Sequence, residues 1–271
     1  MPSEPSTPDE MHCNDTHGDR RRHEPTAEPY VGCAGWALGR AVQDEFPAGA
    51  SQLARYAAVF SAVEINSSFY RPHRRSTYER WAASVPDGFR FAAKLPRTIT
   101  HERRLVACEA LLQTFLDEVT GLGDKLGALL IQLPPTLAFD PSRAGSFLQA
   151  FRNLYGGALC LEPRHPSWFT AAADTVLGAN RVARVAADPA VVAAAAGPGG
   201  DTALCYLRLH GSPRMYYSRY DDERLGAAAI LLVDAVRRGA VAWCIFDNTA
   251  EGHAIPNALA LRRILMDAAR H

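Results

Sequence analysis

Several features that would define a class of protein at once are absent from this sequence. None of its six cysteines forms a C-x-x-C pair, no G-x-G-x-x-G motif follows the first predicted strand, and no G-x-x-x-x-G-K-[ST] motif occurs. No apolar run approaches the roughly 18 residues that suggest a membrane span. These absences argue against a structural zinc site, a bound nucleotide cofactor and contact with a membrane.

The sequence also has no excess charge of either sign. Its 29 Lys and Arg residues balance its 29 Asp and Glu residues, which gives little support for extended contact with nucleic acid. A local basic patch is compatible with this balance, so nucleic acid stays a candidate partner. Most cysteines lie in apolar runs, where they behave as small hydrophobic residues: Cys33, Cys160, Cys205 and Cys244. They predict a reducing compartment, the cytoplasm.

Residues 1–29 differ from the rest of the chain. They contain almost no aliphatic side chains and many prolines, acidic residues, arginines and histidines, so they cannot bury enough apolar surface to offset the entropy of ordering. The stretch also lacks the apolar segment of a secretory signal. We therefore predict a disordered N-terminal tail over residues 1–29 and a single folded domain over residues 30–271.

The folded part alternates short apolar runs with longer amphipathic ones. The short runs have the length of buried strands and cover residues 30–36, 62–66, 89–95, 127–133, 158–164, 181–188, 204–211 and 241–248. Eight such units predict an α/β protein, a (β/α)8 TIM barrel of eight parallel strands. The alternative is an open doubly wound sheet, which lacks its usual cofactor motif here.

Polar side chains are predicted to gather at one end of these strands. Alternation along strand two places Ala62, Glu64 and Asn66 on the face toward the barrel interior. Other inward or strand-end positions add Lys94, Gln132, Glu162, Arg164, Asp188, Arg208, His210 and Asp247. Barrel enzymes build their active sites at this end, so we interpret the group as a functional chamber. A structural layer of ion pairs is less favoured, because buried pairs stabilise less than apolar packing.

The loops that follow the strands add aromatic, basic and amide side chains. The candidates for the site are Tyr70, His101, His165, Trp168, Tyr217 and Asn248. Aromatic rings and arginines above a polar floor suit a small ligand that carries negative charge and rings or sugars, such as a nucleotide. For each loop aromatic taken alone, packing is the alternative role.

A set of motifs along the domain resembles the YecE-like family, also called domain of unknown function 72. The motifs are VGCAGW, FSAVEINSSFYRP, FAAKLPRTITH, LGALLIQLPP, CLEPRHPSW, YLRLHG and FDNTAEGHAIPNA. The resemblance implies a TIM barrel and a distant relation to endonuclease-IV-like barrels, hence a link to DNA or phosphodiesters. It implies no settled activity. One departure is Asp247, which stands where the family commonly has asparagine.

The first functional hypothesis is a hydrolase that acts on a phosphate ester or nucleic-acid-like substrate. Lys94, Arg164 and Arg208 would hold the anion through charge-assisted hydrogen bonds. One of two carboxylates, Glu64 or Glu162, would act as general base. One of two histidines would act as the acid: His210 or His101.

A divalent metal is compatible with this chemistry but is not favoured. The ligands would come from the chamber's carboxylates and His210, and arginines in contact with them would repel a dication. No residue is therefore assigned to a metal.

Two other functions use the same residues. In a metal-free glycosidase-like enzyme, Glu64 and Glu162 would form the catalytic pair if their carboxyl groups lie about 5–9 Å apart. In a binding module, the arginines and tyrosines would hold a small anion or the end of a nucleic acid without turnover.

Overall fold

The computed structural model describes residues 28–268 and residue 270. The predicted tail over residues 1–29 therefore lies almost wholly outside the described part of the chain. The strands are β1 (Tyr30–Cys33), β2 (Ala62–Ile65), β3 (Arg90–Lys94), β4 (Leu126–Gln132), β5 (Leu159–Glu162), β6 (Val182–Arg184), β7 (Ala186–Asp188), β8 (Gly199–Gly200), β9 (Leu204–Leu209) and β10 (Val241–Phe246).

Helices separate most of these strands. They are α1 (Gln52–Ala57), α2 (Arg75–Ala83), α3 (Glu109–Val119), α4 (Pro141–Leu154), α5 (Ala171–Ala179), α6 (Asp222–Arg237) and α7 (Ala254–Ala268). Between β7 and β9 the chain forms only a short 3₁₀ segment, Ala193–Ala196, and β8, because the glycine-rich end of this stretch does not favour a helix. Among the described residues, no helix is both long and apolar enough to span a bilayer.

The strands form two sheets, with the orders β1-β10-β9-β7 and β2-β3-β4-β5-β6-β8. Every pairing is parallel except that of β8 with β6. The predicted α/β class with parallel strands is confirmed. The single closed sheet of eight strands is not what the hydrogen bonds give, since the sixth predicted strand divides at Val185 into β6, which pairs with β5, and β7, which pairs with β9.

Alternation along the strands separates two apolar layers. One layer packs against the helices and includes Val63, Leu161 and Leu207. The other, called here the inner cluster, consists of strand residues and their neighbours: Ala62, Ala92, Ala128, Leu130, Cys160, Ala183, Val185, Leu204, Tyr206, Trp243 and Ile245. The inward position two residues after a member of this cluster holds a charged side chain in four strands, β2, β3, β5 and β9, which places these charges directly above an apolar floor.

The edges of the two sheets meet between β1 and β2. The hydroxyl of Tyr56, from α1, accepts a hydrogen bond from the backbone N–H of Cys33 (2.8 Å) and donates one to the carbonyl of Ala62 (3.0 Å). Gly32 makes this approach feasible, because a Cβ atom there would clash with the carbonyl oxygen of Ala62. A bridge between Ala34 and Glu64 lies beside this contact.

Replacing Tyr56 with phenylalanine should weaken this junction. The change leaves a buried backbone N–H and a buried carbonyl without their partner, so we expect the free energy of unfolding to fall by about 1–3 kcal/mol. Urea denaturation measures the loss. Tyr70, which is exposed, provides the control: its phenylalanine variant should stay within about 0.5 kcal/mol of the wild type. Equal stability of the two variants would contradict the role given to the Tyr56 hydroxyl.

Candidate functional site

The side chain of Arg208, in β9, lies at the centre of the candidate site. Its guanidinium donates two hydrogen bonds to Glu64, from Nε to Oε2 (3.0 Å) and from Nη2 to Oε1 (2.6 Å). It donates a third to Glu162 (2.6 Å) and a fourth to Asp247 (3.1 Å). Arg208 and Glu64 are fully buried and Glu162 nearly so. One guanidinium thus binds three carboxylates, and the hydroxyl of Tyr206 donates a further bond to Glu64 (3.0 Å).

A second layer of contacts lies at the strand ends. The ring of His210 sits between two carboxylates, with Nδ1 3.0 Å from Asp247 Oδ2 and Nε2 3.2 Å from Glu162 Oε1. The amide of Gln132, at the end of β4, donates to the same Glu162 oxygen (3.1 Å). Because β4 and β5 pair in register at Gln132 and Glu162, this contact follows directly from the parallel sheet.

The charges around these groups set their protonation. Burial alone would raise the pKa of Glu162, but Arg208 and His210 lower it well below its usual range. Burial likewise opposes ionisation of Asp247, yet Arg208 and His210 lower its pKa. Burial would lower the pKa of His210, whereas its contacts with Glu162 and Asp247 raise it. The result is a set of ionised carboxylates with little tendency to accept a proton.

Lys94, at the end of β3, has a different environment. Its side chain is buried, and Nζ lies 4.1 Å from the centroid of the Phe69 ring, a cation–π contact. Nζ donates no hydrogen bond to any described residue. Burial and the positive charge of Arg208 lower the pKa of Lys94 to about 8, although the negative charges of Glu64, Glu162 and Asp247 act in the opposite direction.

Arg164 and His101 lie on the loop side of this group. Arg164 Nε donates to Glu162 (2.9 Å) and Nη1 donates to the hydroxyl of Tyr216 (3.1 Å), while the buried Nη2 has no acceptor among the described residues. Burial lowers the pKa of His101, and the positive charges of Lys94 and Arg164 lower it further. His101 therefore lies within electrostatic range of both cations.

Other predicted site residues have contacts outside this network. Trp168 is buried, and its Nε1 donates to the carbonyl of Leu137 (2.9 Å), so it packs between loops. His165 caps a short 3₁₀ segment, Pro166–Trp168, through Ser167. Tyr70 is 72% exposed and contacts the edge of Phe69.

Asparagines and a tyrosine complete the predicted set. Asn248 is fully buried and donates to the carbonyl of Ser218 and to Asn257, which anchors the loop after β9. Asn66 is half-buried, and its Oδ1 has no partner among the described residues. Tyr217 stacks on the guanidinium of Arg214, 3.8 Å from ring centroid to Cζ, and has no contact with the central group.

Tyr216, next to the predicted Tyr217, is the loop tyrosine that joins the site. Its hydroxyl accepts a hydrogen bond from Arg164, and its ring packs against the ring of His210 in a T-shaped arrangement, with 5.7 Å between the centroids. The φ of Tyr216 is 70°, in the left-handed region. Neighbours in a loop have no periodicity that tells them apart, so the sequence offered no signal for this choice. Tyr206 and Phe69 could have been found, because the first alternates with Arg208 and the second follows β2.

The donor set does not resemble a metal centre. Within residues 28–268 and residue 270, no group of three or more His, Cys, Asp or Glu side chains is arranged to hold a metal ion. Each carboxylate of the central group contacts the Arg208 guanidinium, which would repel a dication. This repulsion is the reason why a divalent metal stays compatible with the site but is not favoured.

Comparison with known proteins identifies a family without an assigned activity. Residues 30–271 match the family model described as "Protein of unknown function DUF72", and the chain belongs to this family. Its relatives include the UPF0759 protein YecE of Escherichia coli K12, 31% identical over 141 residues, which are 52% of this chain and 50% of YecE. The UPF0759 protein YunF of Bacillus subtilis is 28% identical over 149 residues, which are 52% of each chain.

The chain spans about half the length of the curated relatives it matches. Solved structures match over more of it. A DUF72 family protein from Thermotoga maritima has a TM-score of 0.74 at 23% identity and covers 88% of this chain and 99% of its own. Another from Enterococcus faecalis has a TM-score of 0.72 at 20% identity, with coverages of 89% and 99%. At these identities the likeness concerns the fold.

Proposed function

We propose that this protein is an enzyme that binds a small anionic substrate, of the phosphate-ester class, at the carboxyl ends of its parallel strands. The observation that carries the proposal is that the carboxylates of the site are paired, whereas some of its positively charged donors are not. Every carboxylate of the central group is bound to Arg208, while the buried Arg164 Nη2 has no acceptor among the described residues and the amine of the largely buried Lys94 side chain donates no hydrogen bond to them.

Unpaired buried donors are costly unless a ligand satisfies them. A phosphate offers several acceptor oxygens and forms short, strong bonds with arginine and lysine. The positive charges of Lys94 and Arg164 both act on His101, so an anion bound near this histidine would be attracted by both cations. Arg208 is poorly available for this purpose, because four hydrogen bonds from its five N–H donors go to the three carboxylates.

Hydrolysis of a phosphate ester is the reaction that follows most directly from the original hypothesis, with a change in the roles. Glu162 is a poor base, because its pKa is lowered and its oxygens accept several hydrogen bonds. His101 is the better candidate for the general base, since its lowered pKa keeps the ring neutral near pH 7. Arg164, whose Nη2 has no acceptor among the described residues, would bind the anion.

The two alternatives fit the geometry less well. A glycosidase needs its substrate between the two carboxylates, but the Arg208 guanidinium binds both Glu64 and Glu162 and lies between them. A binding module would need no histidine or lysine with a lowered pKa. Nucleic acid as a partner and the cytoplasm as location stay predictions.

We further infer that the two sheets are parts of one (β/α)8 barrel. A single residue, Val185, separates β6 in one sheet from β7 in the other. On the opposite side, the bridge from Ala34 to Glu64 and the hydrogen bond from Gly35 N–H to the Glu64 carbonyl (2.9 Å) join β1 to β2. These two junctions support the barrel that the sequence predicts.

Phosphate binding tests the proposed function. Inorganic phosphate at constant ionic strength should raise the melting temperature of the full chain, and in Arg164→Gln the apparent Kd for phosphate should rise at least about tenfold, the loss of one hydrogen bond to a charged group. Arg80→Gln, at an exposed position on α2, is the charge-matched control and should retain the wild-type Kd. The same Kd in both variants would refute anion binding at Arg164.

A further inference from the structure

The chain contains only two lysines among its 29 basic residues, Lys94 and Lys125, and their environments are opposite. Lys125 Nζ donates to the carbonyls of Ala82 (2.9 Å) and Val85 (2.6 Å) and lies 3.7 Å from Asp87. It therefore fastens the end of α2 to the start of β4. Lys94 has no such role, because its amine makes no hydrogen bond to a described residue.

The groups around Lys94 make its amine easier to deprotonate than that of an ordinary lysine. The charged groups that face it are Arg208, Glu64, Glu162, Asp247 and His101. Each carboxylate already binds the Arg208 guanidinium, and Phe69 covers the amine on one side. With a pKa of about 8, about a tenth of the amine is neutral at pH 7 and about half at pH 8.

We propose that Lys94 is a nucleophile that forms a Schiff base with the carbonyl carbon of a small aldehyde or ketone. The geometry carries this: a primary amine on a buried side chain at the end of a strand donates no hydrogen bond to a described residue, and it lies 4.1 Å from the centroid of Phe69, whose ring also contacts His101. A lysine desolvated next to another cationic group is a form in which enzymes activate this nucleophile. The substrate class, a carbonyl compound that also carries a phosphate, rests on the proposed function through Arg164.

The step balances without any further reactant. The lone pair of the neutral Nζ forms the new C–N bond, while the π pair of the carbonyl moves to its oxygen, which takes up the proton released from nitrogen. The resulting carbinolamine then loses its hydroxyl group and the remaining N–H proton as water, which leaves the imine. His101 lies within electrostatic range of Lys94 and is the candidate for moving these protons.

The experiment traps the imine by reduction. The full chain is incubated at pH 7.5 with glycolaldehyde phosphate or with glycolaldehyde, two probes that differ only in the phosphate, together with sodium cyanoborohydride. Peptide mass spectrometry then measures the rate of labelling at each lysine. We expect Lys94 to be labelled at least tenfold faster than Lys125 by both probes. Lys125→Arg should leave the labelling of Lys94 unchanged.

The pair of probes separates this proposal from the proposed function. If the phosphate adds to the rate at Lys94, and Arg164→Gln removes only that advantage, both are supported. If the two probes label Lys94 rapidly and equally, the Schiff-base proposal is supported and phosphate recognition by Arg164 is refuted. Labelling of Lys94 by neither probe, or no faster than Lys125, would overturn the Schiff-base proposal whatever the phosphate-binding data show.

Discussion

Replacing Arg208 with methionine is expected to lower the free energy of unfolding by about 3–5 kcal/mol, the cost of breaking a buried ion pair from one side. The guanidinium makes four hydrogen bonds to Glu64, Glu162 and Asp247. Methionine replaces the aliphatic part of the arginine side chain but has no donor, so three carboxylates would stay buried without their common cation. Urea denaturation at pH 7 measures the difference.

The pH dependence of this loss identifies its origin. In the wild type, Arg208 helps to depress the pKa of Glu162 and of Asp247 below their ordinary values of 4.5 and 3.8. A group with a depressed pKa contributes its stability in full above the ordinary value and loses it as the pH falls through the folded-state value. The gap between wild type and Arg208→Met should therefore be full above pH 4.5 and shrink in acid.

An exposed arginine serves as the control for Arg208. Arg237, near the end of α6, lies 3.9 Å from Asp234, with its side chain largely in solvent. Arg237→Met should change stability by less than about 1 kcal/mol, as is usual for surface pairs. A similarly small effect at Arg208, or a gap that does not narrow in acid, would show that the central ion network does not hold the site together.

Replacing Lys94 with methionine is expected to have the opposite sign and to stabilise the protein at pH 7. Burial and the charge of Arg208 together lower the pKa of this lysine from 10.5 to about 8. The protonated amine is therefore less favourable in the fold than in the unfolded chain, and methionine removes this cost with a gain on the order of 2 kcal/mol. The gain is the stability that the site gives up to keep a buried amine.

The gain from Lys94→Met should depend on pH in a defined direction. Between pH 8 and pH 10.5 the unfolded wild type binds a proton that the folded wild type has released, so wild-type stability rises with pH in this window. The advantage of the variant should be full below pH 8 and vanish above pH 10.5. Lys125→Met, which loses two hydrogen bonds, should destabilise. A destabilised Lys94→Met would mean that the amine has a structural partner.

The sequence was sufficient to predict the parts of the site that depend on strand alternation. Glu64, Glu162 and Arg208 each follow an inner-cluster residue by two positions, and a period of two fixes the face on which a strand residue lies. Parallel register then determines which strand ends are neighbours, as at Gln132 and Glu162. The bonds that connect these groups therefore follow from a short-range pattern.

The features that the sequence did not predict depend on interactions between distant segments. The division of the sixth strand at Val185 reflects which neighbour each half pairs with, and no local pattern records that. The path of a loop determines that Tyr216, and not the predicted Tyr217, contacts Arg164. The sequence predicts that Trp168 contacts the ligand. In the structure its indole donates a hydrogen bond to the carbonyl of Leu137, 31 positions earlier, and lies in the interior.

Arg208 also has a mechanical consequence for the whole molecule. It belongs with β10 to the four-stranded sheet, whereas Glu64 and Glu162 belong to the six-stranded sheet, so the guanidinium connects the two sheets through side-chain hydrogen bonds. A small shift of one sheet along the other would lengthen the hydrogen bonds from Arg208 to Glu64 and Glu162. The geometry of the site therefore depends on how the two sheets are aligned. A ligand that tightened these contacts would make both sheets more rigid.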